Sequence, residues 1–446
     1  MFCTSAISCA LFFAPINSSA LTLEERREIP IESNSIENWP KGPVVSATSA
    51  IVLEANSGVI LYEKNIRQKM YPASTTKLMT TMIAYENSSL GDIVTVSKNA
   101  VDSVPADGSN IGLGAGESIT MEQALYGIMV GSGNEAANAV AEHVAGSIDG
   151  FVALMNERVK SLGLNGTHFA NVNGLHADDH YTSAYDLAII AAEFFKSSAL
   201  SEIGGCARYH FEKSKTQPDD FYITNKHKLI TGEIACEGVI GGKTGFTDEA
   251  GECLVTCAER DGLKLICVVM FEETPDQYND SASLLEYGFS HFANHSLENY
   301  DTAIFPEAPS FFSAEQSLFE RDIRILKFED TSNCVLPANT DMSEVTHFIK
   351  KTEAKGVIAE LVLNYMGIEV GKAPISSTII SPIKKEKSGI IYVNLYSLLF
   401  KLISALIIFS IPILGIRGYV LHMKTEKYKR KRRLKRHGKR RFTSGR

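Results

Sequence analysis

Outside residues 424–446 the chain is short of positive charge. That segment holds thirteen of the 44 lysines and arginines and only Glu426 of the 52 acids, leaving 31 basic against 51 acidic side chains in the body. An acidic body argues against nucleic-acid binding, which needs a basic patch. Signatures of disorder and of fibres are lacking too: 44% hydrophobic residues, 22% charged, 33 glycines and 14 prolines are ordinary globular values. No internal repeat is present, and no His-Glu-x-x-His motif of a zinc peptidase. The nearest approach, His176-Ala-Asp-Asp-His180, lies between Gly174 and Thr182-Ser183, which mark a loop and not a metal-binding helix face.

Long apolar runs are confined to the two ends. Residues 1–20 read as a secretory signal peptide, with an apolar stretch over 6–16 and a cleavage site after Ser18-Ser19-Ala20, although the basic n-region is missing. Residues 388–416 carry one charge, Lys401, and are long enough for a bilayer core of roughly 30 Å. The basic tail that follows places itself in the cytoplasm and the body outside, by the positive-inside rule. The expected organisation is therefore a signal peptide (1–20), a polar linker (21–44), a main domain (45–292), a β-rich domain (296–378), a stalk (379–394), a transmembrane helix (395–421) and a basic cytoplasmic tail (422–446). Cys3 and Cys9 would leave with the signal peptide. Cys206, Cys236, Cys253, Cys257, Cys267 and Cys334 fit no known disulfide framework, so a bridge among Cys236, Cys253 and Cys257 and free buried thiols both stay open.

Within the main domain, strands are expected at 50–54 and 60–63 around Asn56-Ser57-Gly58. A helix opens near Ser74. Thr120 and Gln123 form a capping box, and helices follow over 135–144, 150–162 and 183–195. Strands return at 239–240, 253–258 and 263–270, the last two joined at Arg260-Asp261-Gly262, and a helix over 279–289 closes the unit. Strands at both ends of a helical middle give an α+β layer whose first and last segments share one sheet. Later β-like runs at 323–328, 357–365 and 368–371 form the second domain.

Three short motifs carry the chemistry: Ser74-Thr75-Thr76-Lys77 at a helix start, Ser132-Gly133-Asn134 between two helices, and Lys243-Thr244-Gly245 on a strand. A serine hydroxyl needs a base within hydrogen-bond reach. Three residues on, along one helix face, Lys77 reaches Ser74. A lysine ordinarily titrates at about 10.4, but burial and a second cation, Lys243, favour its neutral form. Ser132 is placed to relay a proton to a leaving amine, and Asn134 to hold Lys77 and a substrate backbone. The Lys243 strand can pair with an extended peptide, with Lys243 or Thr244 meeting a terminal carboxylate and Gly245 leaving the edge clear. The backbone N–H groups of Ser74 and Phe246 would form an oxyanion hole.

In order and placement these motifs resemble those of the penicillin-recognising serine enzymes. Within that group the stretches Tyr71–Thr80, Met129–Asn138 and Gly242–Thr247, with Asn173-Gly-Leu-His and His180–Ala188, are similar to low-molecular-mass D-alanyl-D-alanine carboxypeptidases. The resemblance covers about residues 45–290 and implies a penicillin-binding-protein/β-lactamase-like catalytic domain, an antiparallel sheet with a helical cluster. It implies acylation of Ser74 with Lys77 as base, and Ser132, Asn134 and Lys243 completing the site. The implied partners are a peptidoglycan stem peptide ending in D-Ala-D-Ala and β-lactams as covalent inhibitors, with no cofactor or metal. One departure stands out: 274–279 has no basic residue where some members carry an arginine for the substrate carboxylate. The alternatives are a β-lactamase, for which Gly166–Asn171 lacks the water-activating acid, and a catalytically weak wall-binding or sensor module.

Overall fold

The computed structural model describes residues 21–296, 323–328, 333–352, 357–380 and 417–432. The expected linker is a folded strap. Thr22 and Glu25 cap a short helix α1 (Leu23–Glu28) reciprocally, and Arg26, buried, pairs with Glu273. The chain's single tryptophan, Trp39, buries its ring and donates Nε1–H to the Leu61 carbonyl at 2.9 Å. Polar composition hid these two anchors.

The strap leads into hairpin β1 (Ser49–Glu54) and β2 (Ile60–Lys64), turning at Gly58 with φ +75°. Later come β7 (Val239–Thr247), β8 (Gly251–Arg260) and β9 (Leu263–Glu272), once four short strands are passed: β3 (Ile93–Thr95), β4 (Ser118–Thr120), β5 (Arg208–Phe211) and β6 (Phe221–Thr224). The main sheet is antiparallel with order β2-β1-β9-β8-β7. β1 pairs with β9 from Ser49↔Met270 to Glu54↔Leu265, so the two ends of the domain share one sheet, as expected. Asp261 and Gly262, both at positive φ, make the β8–β9 turn. β7 is an edge strand that joins the two stretches read as strand from the sequence, 239–240 and Lys243-Thr244-Gly245, into one.

Both sheet faces are covered, which is why β1 is buried throughout rather than alternating with solvent. Ile51, Leu53, Val255 and Val268 face a helical cluster, while Ala50, Val52, Leu254 and Val269 face the other way. Each valine, leucine or isoleucine among them contributes roughly 1.5–3 kcal/mol by leaving water. The cluster comprises α2 (Lys77–Asn87), α3 (Lys98–Asp102), α4 (Met121–Val130), α5 (Asn134–Ala145), α6 (Ile148–Ser161), α7 (Ala184–Phe194) and α8 (Ser198–Gly205). Thr120 and Gln123 form the expected capping box on α4, and Ser183 caps α7. In the first turn of α7 the Asp186 carboxylate accepts from the Gly166 N–H and the Thr167 hydroxyl. A one-turn α9 (Lys228–Thr231) precedes β7, and α10 (Asp276–His291) packs on the second face with the strap.

Among the described residues the second domain shows six strands where three were expected. They are β10 (Phe292–Ser296), β11 (Ile323–Phe328), β12 (Asn333–Pro337), β13 (Thr346–Lys351), β14 (Val357–Tyr365) and β15 (Ile368–Ile380). β10 leaves α10 without a linker, and β15 runs past the expected domain end at 378 into the expected stalk. The segment 381–416, with the rest of the stalk and most of the expected membrane helix, lies outside the described residues, as do the signal peptide and 433–446. Residues 417–432 form a helix, α11, joining the end of the expected span to the start of the basic tail; its side chains are exposed. Among the described residues no helix is long and apolar enough to cross a membrane.

Candidate active site

A single 3₁₀ turn, Ala73–Thr76, feeds α2, so Ser74 stands on the turn and Lys77 is the first α-helical residue. The sequence placed Ser74 at the helix start; the difference is a tighter lead-in. Ala73 has φ +47°, an unusual conformation for a residue with a side chain. Such strain persists where the surroundings over-determine it. Thr75 donates its hydroxyl to the Pro72 carbonyl at 2.6 Å, and two glycines press on the turn. A Cβ on Gly245 would lie 2.9–3.0 Å from Pro72 O, Ser74 N and Thr75 N, and one on Gly174 would lie 1.8 Å from Ala73 O.

Lys77 is fully buried. Its Nζ is 2.9 Å from Ser74 Oγ, 2.7 Å from Asn134 Oδ1 and 2.6 Å from the Asn173 carbonyl oxygen. Burial holds its pKa well below the ordinary lysine value, reinforced by the Lys243 and Lys226 cations and opposed by Glu135. A neutral amine has two N–H groups and one lone pair. The Asn134 and Asn173 oxygens are acceptors only, so they take both N–H groups and turn the lone pair toward the Ser74 hydroxyl.

Ser132 follows α4 with φ +58°, and its Oγ accepts from Lys243 Nζ at 3.2 Å. Asn134 opens α5, its N–H bonded to the Ser109 carbonyl. Lys243, also buried, donates to the Thr244 carbonyl as well. Burial and Lys226 push its pKa down to about 7. On β7, Lys243, Thr244, Gly245 and Phe246 face Val255, Leu254, Cys253 and Glu252 of β8, leaving the other edge toward the Ser74 turn. Phe246 is exposed and Thr244 half-buried. The eight residues singled out by sequence, Ser74, Lys77, Ser132, Asn134, Lys243, Thr244, Gly245 and Phe246, thus stand on three neighbouring segments: the Ser74 turn, the α4–α5 junction and β7.

Sequence reasoning missed two contributors. The Asn173 carbonyl leaves no side-chain signature. Lys226, just after β6, stands in no motif, yet it is the cation acting on both Lys77 and Lys243, and its Nζ reaches Ser109 Oγ at 3.4 Å. The stretch 274–279 offers no cation; Thr274 donates to Glu252 instead. Among the described residues no three His, Cys, Asp or Glu side chains are grouped as a metal site. His180 spends both ring nitrogens on Thr76 and the Ala170 N–H. Among the described residues Cys206, Cys236, Cys253, Cys257, Cys267 and Cys334 are all free thiols.

A helix-backed antiparallel sheet, with a Ser-x-x-Lys turn lying under its Lys-Thr-Gly edge strand, defines the class of penicillin-recognising serine proteins. Within that class the chain belongs to the D-alanyl-D-alanine carboxypeptidase family, peptidase S11, whose profile matches residues 36–274. D-alanyl-D-alanine carboxypeptidase DacF of Bacillus subtilis is 36% identical over 254 residues, covering 56% of this chain and 64% of the relative. DacA of Escherichia coli is 34% identical over 262 residues, covering 57% and 63%. The match thus spans slightly under two thirds of these relatives' length. Among solved structures, penicillin binding protein 5 from Haemophilus influenzae superposes with a TM-score of 0.61 at 27% identity, over 76% of this chain and 98% of that one. The Streptomyces K15 DD-transpeptidase gives 0.53 at 29% identity, over 56% and 100%.

Proposed function

We propose that the chain is a serine-type D-alanyl-D-alanine carboxypeptidase that trims the terminal D-alanine from peptidoglycan pentapeptide stems. The observation that carries this reading is the 2.9 Å contact between Ser74 Oγ and a buried Lys77 whose charge is disfavoured. Ser74 Oγ attacks the penultimate D-alanine carbonyl carbon and its proton passes to Lys77 Nζ. The N–H groups of Ser74 and Phe246 hold the resulting oxyanion. As the C–N bond breaks, a proton travels through Ser132 to the leaving amine, and D-alanine departs. Water then attacks the ester, returning the Ser74 proton and releasing the shortened peptide.

The substrate would lie antiparallel to the free edge of β7. Its terminal carboxylate would meet Thr244, Lys243 and Lys226, the last standing in for the arginine missing from 274–279. Because Gly166–Asn171 offers no acid to activate water, β-lactams are expected to form a long-lived acyl-enzyme. The apolar ends and the basic tail support export by a signal peptide and a C-terminal membrane helix, with the enzyme facing the wall. Labelling by a fluorescent penicillin tests the reading: the wild type should label covalently at Ser74 and Ser74→Ala should not. Equal labelling of both would refute it.

A further inference from the structure

The buried His180 has no part in the acyl-transfer steps, yet its contacts lead straight to the base. It lies in the loop 169–180, whose base closes through His168 and Tyr181 bonding each other's backbone. The loop runs alongside α2 and its 3₁₀ lead-in and touches them repeatedly. Thr80 donates its hydroxyl to the Val172 carbonyl at 2.6 Å, Lys77 meets the Asn173 carbonyl, and Gly174 lies against Ala73. At the loop's far end His180 Nε2 is 2.8 Å from Thr76 Oγ1, while Nδ1 accepts from the Ala170 N–H at 2.9 Å. The second contact fixes the tautomer: Nδ1 is the acceptor, so Nε2 carries the proton and donates to Thr76. Thr76 immediately precedes Lys77.

We propose that His180 is a positioning residue, whose hydrogen bond to Thr76 ties the 169–180 loop to the end of the 3₁₀ turn that leads into α2 and so sets the Asn173 carbonyl on Lys77. The inference rests on the reading of Ser74 as nucleophile and Lys77 as base. A neutral imidazole is required, because only then does one ring nitrogen accept while the other donates. Burial secures this, holding His180 down at about 4, with Asp179 opposing and His168, His176 and Lys77 adding to the effect. The Phe169 ring, 5.6 Å away, walls the site from water. Losing the link lets the Asn173 carbonyl drift. One of the two acceptors that aim the lone pair is then lost, together with a dipole that stabilises the Lys77 ammonium. The other groups acting on Lys77, namely Lys243 of β7, Glu135 of α5 and Lys226, stay in place.

Two near-isosteres separate the two contacts. Glutamine places an amide N–H near the Nε2 position, and asparagine places an oxygen near Nδ1. The test is the second-order rate of Ser74 acylation by a fluorescent penicillin against pH, with a melting curve for each variant. His180→Asn should lower the rate about 10- to 100-fold, the range expected when a reacting group is misplaced by up to about 1 Å. It should also move the acid limb to lower pH, since the Lys77 ammonium has lost a stabilising acceptor. Thr76→Val, which leaves His180 in place, should do the same, while His180→Gln and Thr76→Ser should stay near the wild type. An unshifted acid limb in both His180→Asn and Thr76→Val would overturn the assignment, even if their melting points fall. A wild type that fails to acylate at Ser74 would remove the reading of nucleophile and base instead.

Discussion

Substituting alanine at Gly174 tests how tightly the Asn173 loop is fitted to the nucleophile turn. Gly174 has φ +89°, and an added Cβ would stand 1.8 Å from Ala73 O, 2.3 Å from Ala73 C and 2.8 Å from Ser74 N. Restoring an ordinary C···O contact of about 3.3 Å requires the two backbones to part by about 1.5 Å. Misplacing a reacting group by about 1 Å costs about 100-fold in rate, so acylation of Ser74 should fall at least that far. Stability should drop as well, by about 1 kcal/mol for the left-handed backbone and roughly 1–3 kcal/mol for the overlap. Gly163 supplies the control, because it also has positive φ, +72°, but nothing within 4 Å of an added Cβ. Gly163→Ala should therefore lose only the backbone contribution and acylate normally. The assay is penicillin labelling well below the melting point of each variant. A Gly174→Ala protein that acylates within about threefold of the wild type would refute the reasoning, because the contact behind the 100-fold expectation would then be readily relieved.

Lys226→Ala should reduce kcat/KM for peptides ending in a free carboxylate about tenfold, the worth of one exposed charge-assisted contact. Peptides with an amidated terminus should respond much less; equal losses on both would exclude carboxylate recognition by Lys226. Glu272 is buried beside Asp280, and burial first, then that neighbour, raises its pKa from 4.5 to about 9. The folded protein therefore retains a proton that the unfolded chain has released. The stabilisation is complete below about pH 4.5 and is lost as pH rises toward 9, at up to about 1.4 kcal/mol per pH unit. Glu272→Gln keeps a neutral donor for Asp280 and should flatten that limb in thermal melts from mildly acidic to alkaline pH. A variant that tracks the wild type across this range would contradict the assignment.

Much of the site was legible because its chemistry lives in side chains at recognisable spacings. A hydroxyl and an amine three residues apart at a helix start must converge, and the Thr120 capping box and Asp261-Gly262 turn are local signals that long-range packing had no reason to override. What stayed hidden was of other kinds. The Asn173 carbonyl acts through the backbone, and Lys226 acquires meaning only when β6 delivers it beside Lys243. The strap looked like a linker because one tryptophan and one buried arginine leave no periodicity. Strands β10, β12 and β13 were missed for a related reason. β13, for example, is largely exposed on both faces, so it lacks the alternation by which a strand is read.

Central to the proposed activity is Ser74 Oγ as the atom that takes the acyl group from a D-alanyl-D-alanine terminus. Incubating the protein with a pentapeptide stem and following the products by mass spectrometry tests this most directly. The wild type should yield the tetrapeptide and one equivalent of free D-alanine, and Ser74→Ala should leave the pentapeptide intact. Release of D-alanine by Ser74→Ala at the wild-type rate, or an unchanged substrate with the active wild type, would contradict it.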